Sequence, residues 1–379
     1  MKITKIIATP ISIPMIHPHH MAIGTVEKVD YVIVQTITDK GIVGLGEAAA
    51  ECGPIFSEES FGTILCTIDN YLAPIIVNED PINIEKIINI MNKGVKGNPF
   101  AKAAVEMSIL DIIGKELNIP IYKILGGIFR EKIPLSWSLA LMDVKKEIMK
   151  VRDLIDSGWR IYKIKVGRLT FSEEVERIKY INDTIVNSKD KEKLFLRIDA
   201  NQAWTMPMAK KFIHHLELLD IDFLEQPIYA RNIRGLSELR RIGKIPIAVD
   251  ESLFGINDAL DLVVHNAADI FSIKILKSGG IINAKKIASI AEAAGIPCYL
   301  GGLCETGIGT AANVHFGVST VNINYGCELV GQLRLKEDII KESPRIKDGY
   351  IYPYEASGLG VTLDEKNLSK YIVTPNKAI

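Results

Sequence analysis

The sequence predicts an α/β fold: a (β/α)8-type, TIM-like barrel, with an N-terminal α+β capping domain that the C-terminal tail completes. Three observations predict it. Short apolar strands alternate with amphipathic helical stretches at a repeat of roughly 25 to 30 residues, the length of a βα unit. The first third of the chain has a different pattern, a β-meander followed by helices. Charged residues recur near the same end of successive strands, where a parallel barrel carries its chemistry.

Residues 1 to about 50 read as the meander. ITKIIATPISI and DYVIVQTIT are two runs, and the turn Asp39–Gly41 leads into IVGLGEA as a hairpin would. The clearest helix starts at Asn98-Pro99, an N-cap followed by proline at the first helical position. Val105, Ile109, Ile112 and Ile113 continue it at helical spacing toward a stop at Gly126-Gly127. Residues 1–130 are thus the capping domain. Strands follow at LSWSLA, YKIKV, LFLRID, DFLEQ, IPIAVD, DIFSIKI, IPCYLGG and GCELVG, within a barrel over residues 131–344. The tail, residues 345–379, contains YPYEASGLGV and little helical pattern, and is expected to return to the cap.

Composition narrows the function. A chain of 379 residues with 47% apolar and 24% charged residues is that of a globular protein of two domains. A formal net charge of -1 offers no field for nucleic acid or an acidic membrane. MKITKIIATPISIPM is broken by Pro10 and Pro14 and lacks a signal-peptide core, and no apolar run is long enough to span a bilayer. Five cysteines without a CxxC pattern argue against a zinc knot and for a reducing compartment, so a cytoplasmic location is expected.

Three successive strands end in acids: Asp199 in FLRIDANQAW, Glu225 in FLEQP and Asp250 in IAVDES, each one βα unit from the last. Carboxylates aimed at one point repel unless a cation lies between them, and oxygen-only ligation suits Mg²⁺ or Mn²⁺. Lys163 and Lys165, on one side of the preceding strand, and Lys274, on the strand after, flank these acids. A lone KxK is ordinarily a solvated face, and a lone acid at a strand end is ordinarily a loop residue or helix cap. Five strands in one phase are not independent surface charges. Crowding among cations beside a metal is expected to lower a lysine pKa and supply a base near neutral pH.

The motifs KIKVG, DANQAW, EQP, DES and SIKILKSGG resemble the enolase superfamily, in its muconate-lactonizing subgroup, over essentially the full length. That resemblance implies metal ligation by Asp199, Glu225 and Asp250, and acid/base roles for Lys165 and Lys274 on opposite faces of a substrate. It implies that Lys163 supports Lys165 and helps bind a substrate carboxylate, and that Asn201 and Glu251 support the ligands. KGNPFAKAAVEMSILDIIGK, GGLCETGIGT and CELVGQLRLKEDI are similar to segments of the cycloisomerases, with Glu305 in the place of a functional glutamate. The stretch Ile16–His20 falls where the family has a specificity loop, which makes His19 and His20 candidates to touch substrate. Residues Glu51 to Glu59 form a second such loop, and Ser138 on the first barrel strand is a further substrate-side candidate.

The implied activity is conversion of cis,cis-muconate to muconolactone. The alternatives are a racemase or epimerase of N-acyl amino acids, dipeptides or related carboxylates, an o-succinylbenzoate synthase-like dehydratase, and an inactive binding protein. No histidine follows the seventh strand, unlike the mandelate racemase branch, and CELVG lacks the DxD motif of dipeptide epimerases. The implied partner is a small-molecule carboxylate, with no nucleic acid and no membrane. The implied assembly is a symmetric homo-oligomer, often an octamer in this family.

Overall fold

The computed structural model describes residues 1–188 and 192–374. The chain opens with an antiparallel sheet of β1 (Ile3–Met21), β2 (Gly24–Thr38) and β3 (Val43–Ala50), in that order. β1 and β2 turn tightly, with Met21 opposite Gly24. Their register slips between Pro14 and His19. Pro14 and Pro18 have no N–H for the ladder, and the chain pairs elsewhere at this point. The Ile16 N–H donates to the Arg334 carbonyl at 2.8 Å, and the Lys336 N–H to the Pro14 carbonyl at 2.9 Å. Ile16–His20, expected to be a loop, therefore lies within β1: past the slip, His19 and His20 pair with Val26 and Thr25.

Helices α1 (Phe61–Thr67), α2 (Ala73–Ile76), α3 (Ile84–Gly94), α4 (Pro99–Glu116) and α5 (Ile121–Ile124) complete this part. The expected start of α4 holds, but its cap does not. Asn98 is left-handed, with φ 52, and its side chain makes no capping bond. Glu59 instead accepts the N–H groups of Phe100 (2.8 Å) and Ala101 (3.2 Å). The helix also ends at Glu116, short of Gly126, because Pro120 lies ahead. α4 is buried almost throughout and presses on β3. A Cβ at Gly46 would lie 1.9 Å from the Ala104 carbonyl oxygen, so only glycine lets the helix seat there.

After a short β4 (Ile133–Pro134) comes the barrel. Its strands are β5 (Ser136–Leu139), β6 (Ile161–Lys165), β7 (Phe195–Asp199), β8 (Ile221–Glu225), β9 (Ile247–Val249), β10 (Ile270–Ile273), β11 (Cys298–Leu300) and β12 (Ile323–Cys327). They are neighbours in sequence order, all parallel, and a bridge between Leu135 and Cys327 joins the two ends of the sheet. Helices α6 (Val144–Asp156), α7 (Phe171–Val186), α8 (Met206–Leu216), α9 (Ile233–Ile242), α10 (Ile256–Val264), α11 (Ile281–Ala293) and α12 (Gly307–Val318) follow the first seven strands. The eighth strand is followed by a 3-10 turn, Gly331–Leu333. The segment after it pairs with β1 at Met15 and Leu335, where a helix would otherwise start.

The barrel interior is closed by Phe223, Ala248, Ile270 and Tyr299, with the Arg197 guanidinium stacked on Phe223, Tyr299 and Tyr325. β13 (Ile346–Lys347) pairs with β14 (Tyr350–Ile351), which in turn pairs with β4. The chain then crosses to the N-terminal sheet: the Leu359 N–H donates to Asp111 at 2.8 Å, and α13 (Glu365–Tyr371) packs on β1. Among the described residues no helix is long and apolar enough to cross a membrane.

Candidate active site

Strand register builds the site. Lys165, Asp199 and Glu225 stand side by side on β6, β7 and β8, and Asp250 lies two residues beyond Ala248, the partner of Glu225 on β9. Lys163 and Lys165 are two apart on β6, so both amines enter the same end of the barrel. Their negative partners are now visible. The Lys165 Nζ lies 2.6 Å from Asp199 and 3.1 Å from the Asn201 Oδ1. The Lys163 Nζ lies 2.9 Å from Glu225 and 3.6 Å from Asp199, and also pairs with Glu328 beyond β12. The Lys274 Nζ is 2.8 Å from Asp250, and Lys277 pairs with the other oxygen of the same carboxylate. All of these groups are buried or nearly so.

The electrostatics follow from that packing. Burial pushes the Glu225 carboxyl up; Lys163 draws it down, and the charges of Asp199 and Asp250 raise it further. Burial, then Asp250 and Asp199, bring Glu251 up to about 8. Burial works against the charge on Glu328 and Asp250 as well. Yet Lys163 and Lys165 hold Glu328 well below the usual carboxylate range, and Lys274 and Lys277 do the same for Asp250. The lysines respond to the same acids. Burial alone would lower Lys165 and Lys274, but Asp199 and Asp250 outweigh it and raise both. Four carboxylates facing the amines make them more basic, which the strand pattern alone did not reveal.

Among the described residues no three acid, imidazole or thiol groups stand with their donors gathered as a cage; each acid pairs with an ammonium. The donor chemistry nonetheless suits a hard divalent cation. The Glu225 Oε1 and the Glu251 Oε2 are buried without a hydrogen-bond partner, and the acids raise one another's proton affinity. A cation would satisfy both features, so the residues fit.

The cavity in front of these groups has about 40 Å³ of free space and lies between the barrel end and the N-terminal sheet. Lys163, Lys165, Lys274 and Asn201 line it from below, and His19, Glu51 and Phe56 from the cap. Burial first, then Arg334 and Lys165, hold the His19 imidazole well below its ordinary pKa, so it is neutral. His20 is not part of this lining; its ring bonds the Thr25 hydroxyl at 2.9 Å. Glu305 also stays out of it. One Glu305 oxygen accepts from Asn313 at 3.3 Å, and burial brings its carboxyl up to about 7. Ser138 lines a neighbouring groove together with His17 and Trp137. Asn201 spans Lys165 and Glu251, donating to the latter at 3.1 Å.

Sequence reasoning missed Glu328, Lys277 and Arg334. Glu328 was legible as the acid ending the eighth strand, in phase with the others. Lys277 follows Lys274 by three residues in KILKS, a spacing with no strand signature. Arg334 carries no local signal.

Residues 3–126 match the mandelate racemase / muconate lactonizing enzyme N-terminal domain, and residues 147–367 the enolase C-terminal domain-like family. A chloromuconate cycloisomerase of Delftia acidovorans is 36% identical over 98% of this chain and 99% of its own length. Muconate lactonizing enzyme from Pseudomonas fluorescens, solved with muconolactone, superposes with a TM-score of 0.95 at 34% identity, covering 98% of this chain and 99% of that one. N-succinyl Arg/Lys racemase from Bacillus cereus superposes with a TM-score of 0.93 at 31% identity, covering 99% of each chain. The chain belongs to the mandelate racemase / muconate lactonizing enzyme family, a metal-dependent branch of the enolase superfamily.

Proposed function

We propose that this chain is a muconate cycloisomerase that closes cis,cis-muconate to muconolactone. The observation that carries the reading is the pair of ammonium groups, Lys165 and Lys274, flanking one row of acids at 2.6 and 2.8 Å. Its relatives named as chloromuconate and muconate cycloisomerases support the substrate. One substrate carboxylate adds an oxygen across the diene, forming the C–O bond of the lactone. The electron pair moves to the carbon beside the second carboxylate. Lys165 delivers its Nζ proton to that carbon, so the reaction consumes one proton. Asn201 holds Lys165 in line, Lys163 adds positive charge, and Lys274 steadies the developing anion as a cation. Asp199, Glu225 and Asp250 would hold Mg²⁺ or Mn²⁺, which when bound supplies positive charge beside the substrate carboxylate. The reading extends to a homo-oligomer in the cytoplasm that takes a small-molecule carboxylate.

The second reading, racemisation of an N-acyl amino acid, is favoured by the same two lysines on either side of the acids and by the Bacillus cereus neighbour. The test offers the Mn²⁺-loaded protein muconate, chloromuconates and N-succinyl amino acids in D₂O. The expected result is lactone carrying one deuterium on one face. In Lys165→Ala turnover should fall by about 10²–10⁴. Racemised, deuterated N-succinyl amino acid with no lactone would replace this reading with the second.

A further inference from the structure

We propose that Arg334 is a specificity-determining residue that binds the far carboxylate of a dicarboxylate substrate. It lines the same cavity as Lys163, Lys165 and Lys274, and it also lines the outer groove of about 540 Å³, so together with His19 it forms part of the wall between the two. Its guanidinium donates one hydrogen bond, to the Ser138 carbonyl at 2.7 Å, and enters no ion pair among the described residues. An arginine has five N–H donors in a fork that fits a carboxylate, so most of its capacity is unspent.

The lysines, not Arg334, hold the acids of the barrel end. Asp199, Glu225, Asp250 and Glu328 are each already paired with Lys165, Lys163, Lys274 or Lys277. Arg334 faces the charges of Glu51 and Glu328 across the cavity but is hydrogen-bonded to neither, so its fork is open to a further anion. The residue is also held in place before any ligand arrives. Its carbonyl accepts the Ile16 N–H at 2.8 Å, the next residue bridges to Met15, and the guanidinium lies 5.4 Å from the Trp137 ring centroid. A fixed fork loses little freedom on binding. The contact is made to a carboxylate distant from the lysines, so it contributes to substrate binding in the ground state and not to proton transfer.

This assignment deepens the cycloisomerase reading and rests on it for where the first carboxylate sits. The test compares cis,cis-muconate with its monomethyl ester, which keeps one charge. Calorimetry on the metal-loaded wild type should show tighter binding of the diacid, and Arg334→Leu should weaken the diacid by about ten- to a hundredfold while leaving the ester nearly unchanged. Arg334→Lys, which keeps the charge without the fork, should recover part of the preference and serves if the leucine variant does not fold. In turnover, KM for muconate should rise with kcat not lowered. Equal binding of diacid and ester by the wild type, or a preference that survives in Arg334→Leu, overturns the assignment. Absence of lactone from a wild type that still prefers the diacid overturns the cycloisomerase reading alone.

Discussion

The Arg177 guanidinium donates to the Lys165 carbonyl oxygen at 2.8 Å, from behind the strand that carries this lysine into the cavity. Two further bonds, at 2.7 and 2.6 Å, tie it to Glu147 in a fork, and a fourth at 3.2 Å reaches Glu174. Glu174 in turn accepts the N–H groups of Gly167, Arg168 and Leu169. The turn after β6 is therefore fixed by buried charges that never touch the cavity. Arg177→Met leaves two buried carboxylates without their partner, and such a loss costs about 3–5 kcal/mol. The urea midpoint should fall accordingly at unchanged slope. A shift within the roughly 0.5 kcal/mol of an ordinary surface change would remove this account.

The central acid should govern metal affinity. Glu225→Gln keeps the shape and removes one charge from the row. We expect Mn²⁺ affinity by calorimetry to fall by at least about a hundredfold, since one hard anionic ligand of three is lost. Chelation of the wild type should abolish turnover, and added Mn²⁺ or Mg²⁺ should restore it. Unchanged affinity in the variant would place the ion elsewhere.

Two cap-domain acids should make stability depend on pH. Glu47 accepts from Thr306 at 3.0 Å and Gly309 at 3.1 Å, at the start of α12. Glu106 does the same for Ile281 and Ile282 at the start of α11. Burial brings Glu47 up to about 8 and Glu106 up to about 7, from an ordinary 4.5. A carboxyl whose pKa is higher folded than unfolded takes up a proton on folding. Its contribution is complete below pH 4.5 and lost as pH rises through 7 to 8. The wild type should therefore lose stability between pH 5 and 9, by an amount on the order of a few kcal/mol per group. Urea titrations should show Glu47→Gln with a flatter profile. An equal slope in wild type and variant would rule Glu47 out.

Gly46 and Gly24 make a matched pair. A methyl group at Gly46 meets the Ala104 backbone oxygen of α4, whereas one at Gly24 meets nothing within 4 Å. Gly46→Ala should cost about 1–3 kcal/mol or more, because a backbone must shift to admit it. Gly24→Ala should stay within about 0.5 kcal/mol. Comparable unfolding midpoints for the two would mean that β3 and α4 are not in close contact.

The barrel and the row of charges were legible in the sequence. Side chains on a strand alternate with period two, so Lys163 with Lys165, and the acids at successive strand ends, take their direction from purely local geometry. Even there, strand phase did not show how strongly the acids act on the amines: Glu328 and the other acids converge through space and raise Lys163 and Lys165. What tertiary structure alone decided lies off the strands. Asn98 stands before α4 as a cap should, yet Glu59 reaches in from a distant loop and takes the bonds. Glu305 follows the seventh strand but turns toward Asn313. His19 enters the cavity while His20 stays outside, because a slip at Pro14 and Pro18 resets the phase of β1. Arg334 reaches the site because residues 334–336 pair with that same slipped segment in place of an eighth helix. Direction along a strand is a property of neighbouring residues. The partner that satisfies a loop side chain is a property of whatever the fold brings beside it.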